Sequence, residues 1–236
     1  MKKISLLSLF ALVFIAPLAK AQCGSNCLFY GGDFDLSNPN ANSLANENDA
    51  IVGGTPYGAA TYQNFVLDQN VDIVQMFSNN LSGLNPSTGY WEFRSGVSEG
   101  NGGALIASGT AAMAQIPTGR SGFGLTEYRD QIDGIDVDLF ADTFWFTVVP
   151  NDPNNANRSF NSNTFGLNSV GTQISNQQYW NSASLGANFT NANNEGVFPT
   201  FSDGLVNTIE PEASSFILFG TGLVGIAGIV RRRLSK

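Results

Sequence analysis

The chain has 236 residues, enough for one sizeable core or two small ones, and its lack of histidine excludes histidine acid/base chemistry, Ser-His-Asp triads and His-ligated metals. Formal net charge is −8, but Lys2, Lys3, Lys20, Arg231, Arg232, Arg233 and Lys236 put most of the 11 basic residues at the two ends. Of the 19 acidic residues only Glu210 and Glu212 lie outside Gln22 to Ile209, so that body carries 17 acids against Arg94, Arg120, Arg129 and Arg158, a net charge of −13 that excludes nucleic acid as a partner.

Residues 1–21 have the build of a signal peptide. Lys2 and Lys3 precede an apolar run from Ile4 to Pro17, and Ala19-Lys20-Ala21 supplies small residues where a signal peptidase reads. Cleavage is expected between Ala21 and Gln22, so the protein is expected to be exported. Cys23 and Cys27 follow at once, and in an oxidising compartment this C-x-x-x-C pair is expected to close a small disulfide loop. A lipoprotein reading of Cys23 is disfavoured by Gln22 before it, and two thiols without histidine make a poor metal site.

Residues 22–57 form an Asn/Gly-rich segment with Asn38-Pro39, read as turns and loop ahead of the main fold. From 58 to 205 short apolar alternations are separated by Gly, Asn and Ser clusters, the signature of an all-β domain. Thr61 to Leu67 is a strand with one imperfect face. In Val71 to Phe77 the residues Val71, Ile73 and Phe77 share a side against Asp72 and Val74, and Asn79, Asn80, Ser82 and Gly83 are read as the turn that ends it. Tyr90 to Ser95 sets Trp91 and Phe93 against Tyr90, Glu92 and Arg94, which predicts one aromatic face inward.

Ala104 to Ser108 reads as a short buried strand. Phe123 to Ile132 and then Ile135 to Leu139 read as two more, the second with an acidic face of Asp136 and Asp138. Thr143 to Val149 is apolar on both faces, which predicts a central strand closed by Pro150. Asn151 to Gly196 is rich in Asn, Ser and Gly with recurring aromatics, and predicts long surface loops with two or three short strands; Val197 to Phe201 is the last. Eight to ten strands and no helical period between Gln22 and Asn207 predict a two-sheet β-sandwich, jelly-roll-like.

The tail, 206–236, is organised differently. Glu210, Pro211 and Glu212 precede an apolar run at 216–230, and Arg231 to Arg233 with Lys236 close it. As a helix the run is roughly 22 Å long, marginal for a ~30 Å hydrocarbon core, and its arginines are expected to stay cytoplasmic. Pro211, Glu212, Ser214, Ser215, the Phe219-Gly220-Thr221-Gly222-Leu223 core and the arginines resemble the PEP-CTERM sorting signal, with Ala213 where the second proline of that signal stands. The resemblance implies a sorting signal at Pro211, Glu212 and Ala213, a single-span hydrophobic helix, and processing by an exosortase-type enzyme. It also implies a Gram-negative setting with an exopolysaccharide matrix and a structural or adhesive role at the cell surface or outside the cell. Stretches such as NFVLDQNVDIVQMFSNNL and FADTFWFTVVP are similar to the sandwich bodies of some PEP-CTERM proteins.

Two lookalike motifs fail on context. Gly220-x-Gly222-x-x-Gly225 lies inside the apolar run, without the flanking strand and distal acid of a dinucleotide site. Gly96-Val97-Ser98-Glu99-Gly100 matches a hydrolase elbow but has no histidine to serve it. Calcium as a cofactor has weak oxygen-rich candidates in Asp33 and Asp35 and in Asp133, Asp136 and Asp138, with a solvated acidic surface the favoured reading. Trp145 and Trp91 are read as core, whereas Tyr179 and Trp180 in a polar stretch are the candidate glycan contact. The expectation is a non-enzymatic exported sandwich. The alternatives are a carbohydrate-binding module for exopolysaccharide and, less favoured, a carboxylate-pair glycosidase, for which no pair among Glu47, Glu92, Glu99, Glu127 and Glu195 stands out.

Overall fold

Period-two patterning runs through the whole body, and the computed structural model shows what it builds; it describes Cys23 and residues 26–52, 55–196 and 200–207. In chain order the strands are β1 (Cys27–Tyr30), β2 (Ser43–Ala45), β3 (Glu47–Val52), β4 (Thr55–Val66), β5 (Val71–Ser82), β6 (Thr88–Ser95), β7 (Ala104–Ala112) and β8 (Ala114–Gly122). They continue as β9 (Leu125–Leu139), β10 (Thr143–Asn151), β11 (Ser159–Thr164), β12 (Tyr179–Ser182), β13 (Ala187–Asn191), β14 (Thr200–Phe201) and β15 (Asp203–Asn207). Among the described residues there is no α-helix, only short 3-10 turns at Ala183–Leu185 and Ala192–Glu195.

The strands form two sheets, the all-β sandwich class that the patterning predicts. One, of eight strands, runs β1-β15-β5-β11-β14, with β2 on β11 and with β9 between β5 and β8. The other, of seven, runs β13-β12-β4-β3-β10-β6-β7, and β4 also pairs with β10. β10 is central and buried along its length, and it does not stop at Pro150 but pairs on to Asn151 opposite Thr88. The predicted residues 1–21 and 208–236, with both cleavage and sorting signals, lie outside the described residues.

Several elements differ from the patterning. The segment 22–57 is not a loop ahead of the fold, because β1, β2 and β3 come from it and contribute to both sheets. Asn79 and Asn80 do not end a strand: β5 runs through them to Ser82, and both are fully buried. Ala104–Ser108 belongs to a longer strand that is mostly exposed, followed after one residue by β8, which the composition concealed. The two strands read from Phe123 to Leu139 are one, β9, kept continuous by a register irregularity against β5. Beyond Phe201 the chain makes one more strand, β15, running to Asn207.

The principal core lies between the sheets. Phe144, Phe146 and Val148 project from β10 onto Ile73, Met76, Ile132 and Leu205 of the facing sheet. Phe146 is edge-on to Phe65 at 5.6 Å and to Phe29 at 6.1 Å, a geometry that adds about 0.5–1.5 kcal/mol per pair to area burial.

Smaller apolar clusters flank this core, and polar side chains are buried beside them. Asn46 Nδ2 donates to Asn80 Oδ1 (3.0 Å) and to the Val148 carbonyl (2.8 Å), and Asn80 Nδ2 donates to Ser78 Oγ (2.7 Å) and Asp130 Oδ2 (2.8 Å). Asn161 Nδ2 bridges from β11 to Thr61 Oγ1 (2.8 Å) and to Asp203 Oδ1 (2.7 Å). Through the Val148 carbonyl and Thr61 this network reaches from the eight-stranded sheet to the seven-stranded one, so buried asparagine here is a specified contact between sheets.

Candidate functional site

Alternation along β10 sends Trp145, Thr147 and Val149 to the outer face of the seven-stranded sheet, away from the core residues Phe144, Phe146 and Val148. Cross-strand register places Glu92 of β6 opposite Thr147, and Ser108 of β7 on the other side of Glu92. On this face lies a groove of about 420 Å³, whose lining includes Glu47, Tyr62, Tyr90, Glu92, Arg94 and Asn181.

Glu92 is the centre of the groove. It is 2% exposed and accepts from Tyr62 Oη (2.5 Å), Tyr90 Oη (2.6 Å), Arg94 Nε (2.6 Å) and Arg94 Nη2 (3.2 Å). Burial alone pushes its pKa up, but the bonds from Arg94, Tyr62 and Tyr90 outweigh it and hold the carboxyl below the usual range. Burial and the hydrogen bond to Glu92 push the Tyr90 phenol up to about 12, so it stays a neutral donor. Arg94 also donates to the Gly102 carbonyl (3.0 Å) and lies 5.3 Å from the Phe189 ring centroid. Thr147 Oγ1 is buried beside this set with no hydrogen-bond partner among the described residues.

At the groove's other end Glu47 is fully buried and accepts from Arg158 Nε (2.5 Å) and the Ser159 N–H (2.8 Å). Here burial wins, and the Glu47 pKa is raised despite those two donors. A third glutamate, Glu127, accepts from Arg120 Nε (2.6 Å), which also reaches Asp33 (2.9 Å). The fourth body arginine, Arg129, lies 3.7 Å from the Phe77 ring centroid and donates to Gln75. All four body arginines are thus engaged by partners within the fold.

The residues singled out as glycan contacts are not in the groove wall. Trp180 is 7% exposed, its indole N–H donating to the Ala45 carbonyl (2.9 Å), and Tyr179 is buried beside Trp145 at 6.4 Å. Both belong to β12, and their rings are covered rather than offered for stacking. A polar neighbourhood in sequence concealed this, because Asn and Gln are themselves buried throughout this fold. Tyr90, Glu92 and Arg94 were legible as one face of β6, and an acid two residues from an arginine on the same side was the available signal.

The calcium candidates do not converge either. Asp33 accepts from Tyr30 Oη (2.6 Å), Arg120 and Asn168 (2.6 Å), while Asp35 closes a turn with Ser37. Asp133 is bonded to Gln75 and Gln131, and Asp136 and Asp138 face water. Burial, with repulsion from Asp136 and Asp138, raises the pKa of Asp72, and no group of three His, Cys, Asp or Glu among the described residues is placed to hold a metal. Near the start of the described chain Cys23 and Cys27 are joined in a disulfide.

The fold and groove define a two-layer β-sandwich with a polar, arginine-braced groove on one outer face. No family model, curated protein or solved structure matches the chain.

Proposed function

We propose that this protein is exported and works outside the cytoplasm as a non-enzymatic β-sandwich of the cell surface or extracellular matrix, in a structural or adhesive role. A signal peptidase acts at Ala21-Gln22, the apolar span at 216–230 holds the chain in the membrane during sorting, and an exosortase-type enzyme acts at the PEP-CTERM-like signal of Pro211, Glu212 and Ala213. The observation that carries the reading is the Cys23–Cys27 disulfide two positions past the expected leader, since such bonds persist in oxidising compartments and not in the cytosol. The state of the glutamates favours binding over catalysis: four donors occupy Glu92, and Arg158 and a backbone N–H hold Glu47. Mass spectrometry of the mature protein tests the sorting. A chain starting at Gln22 and ending near Glu212 supports it, and surface material intact through Lys236 contradicts it.

A second reading has a specific observation behind it. The groove offers the Tyr90 ring and fixed polar groups from Arg94 and Asn181, the mixture that holds a neutral saccharide of the matrix. It replaces Tyr179 and Trp180 as the contact. A glycan array probed with the protein and with Tyr90→Ala decides it: binding lost in the variant supports the groove, and no binding by either removes this reading.

A further inference from the structure

Edge strands carry unpaired backbone groups, and proteins ordinarily blunt them with charge, proline, bulges or shortness. Among the described strands the short edges are β1, β2, β13 and β14, of 4, 3, 5 and 2 residues. The edge strand β8 contains Pro117 and Arg120 and breaks register between Pro117 and Ser121. β7 is different. It closes the seven-stranded sheet, pairs among the described strands only with β6, and over nine residues, ALIASGTAA, has neither charge nor proline.

Its inner face is fixed: Ala107 and Ala111 pack on the core and Gly109 sits against Trp91, where an added Cβ would lie 3.0 Å from the ring. Its other face is open, with Ser108, Thr110 and Ala112 exposed and Leu105 and Ile106 about half exposed. The register irregularity near Phe93 and Arg94 falls at the Leu105 end and leaves Ala107 to Ala112 regular.

We infer that β7 is a self-association edge, pairing antiparallel with β7 of a second copy of this chain. Charge selects the partner. Two bodies of net charge −13 repel wherever carboxylates face each other, but from Gly100 to Gly119 the sequence has no charged residue, so this is a long edge along which copies approach without that penalty. The strand is also self-complementary. A two-fold axis at Gly109 sets Ser108 opposite Thr110 of the second copy and Ala107 opposite Ala111, a hydroxyl pair and a small-residue pair that let backbones close. Pairing this way joins two seven-stranded sheets into one continuous layer.

Sedimentation velocity of the full chain in detergent tests this, comparing wild type with Thr110→Lys and with Asn194→Lys, an exposed control at the opposite side of the sheet order. The expected result is a dimer that Thr110→Lys abolishes and Asn194→Lys leaves intact, with the circular dichroism spectrum of the wild type kept by both. A monomeric wild type overturns the inference, as does a dimer that survives Thr110→Lys, because association through the apolar ends would survive it. If Thr110→Lys fails to fold, chains bearing Ser108→Cys and Thr110→Cys are mixed under oxidation, the native cysteines being already paired. A crosslink between the two variants supports the edge, and its absence overturns it.

Discussion

Cys27 of β1 lies opposite Val206 of β15 in antiparallel register, so the entering and leaving strands of the described body are neighbours. Asn207 closes the pair by donating its N–H to the Asn26 carbonyl (3.4 Å). Cys23 is buried here with Tyr30 and Phe77, so the disulfide is a plug in the corner where the strands meet.

Removing that plug has a calculable effect. The bond closes a loop with a sequence separation of 4, and chain entropy gives about 2 kcal/mol for so short a loop. The Cys23→Ser, Cys27→Ser double variant is expected to lose about that much in urea unfolding. Reductant should shift the wild-type midpoint and leave the variant's unchanged.

Stability should fall as pH rises from about 4 to 8 through two buried acids. Burial, resisted by Asn80 and Gln115, raises Asp130 from 3.8 to about 7; burial, resisted by Asn161, raises Asp203 from 3.8 to about 8. A carboxyl with a raised folded pKa stays protonated in the fold while the unfolded chain ionises, so its contribution is full below 3.8 and is lost as pH climbs to the folded value. The slope is at most about 1.4 kcal/mol per pH unit for each group. Glu47, also raised, acts in the same direction, whereas the depressed Glu92 loses stability only as pH falls. Asp203→Asn should flatten the dependence between pH 5 and 8, measured as urea midpoints across that range.

Arg94→Met leaves Glu92 buried beside two phenols without its cation and is expected to cost about 3–5 kcal/mol. Combining it with Glu92→Gln should cost less than the sum of the two single changes, which a double-mutant cycle reads directly.

Trp180→Ala is expected to cost about 3–5 kcal/mol because it empties a site among Leu44, Ala59 and Phe201. Tyr90→Ala, at a half-buried ring, should remain folded by circular dichroism, and on the saccharide-binding reading proposed above it should lose that binding on a glycan array.

At Gly31 an added Cβ would lie 1.9 Å from the Phe201 carbonyl oxygen, whereas at Gly58 the nearest atom is 3.8 Å away. Gly31→Ala is therefore expected to lower stability by about 1–3 kcal/mol, with Gly58→Ala as the neutral comparison in thermal melts.

The sequence by itself determined the all-β class and the central position of β10, because period two and a doubly apolar run are local properties of Thr143 to Val149. It also made Tyr90, Glu92 and Arg94 one face of one strand. Only the tertiary structure decided what that face does, since Tyr62 comes from β4 and the Glu47 end from β3, and pairing distant strands is not written in local pattern. The same holds for polarity: Asn79 and Asn80 read as turn residues until Ser202 and Asp130 come to lie beside them, and Asn161 falls in a loop-like stretch until Thr61 of the other sheet accepts from it. Trp180 reads as an exposed ring until Ala45 and Phe201 cover it. Burial is a property of what comes to lie opposite a residue, and in a sandwich of this connectivity the opposite residue is often a hundred positions away.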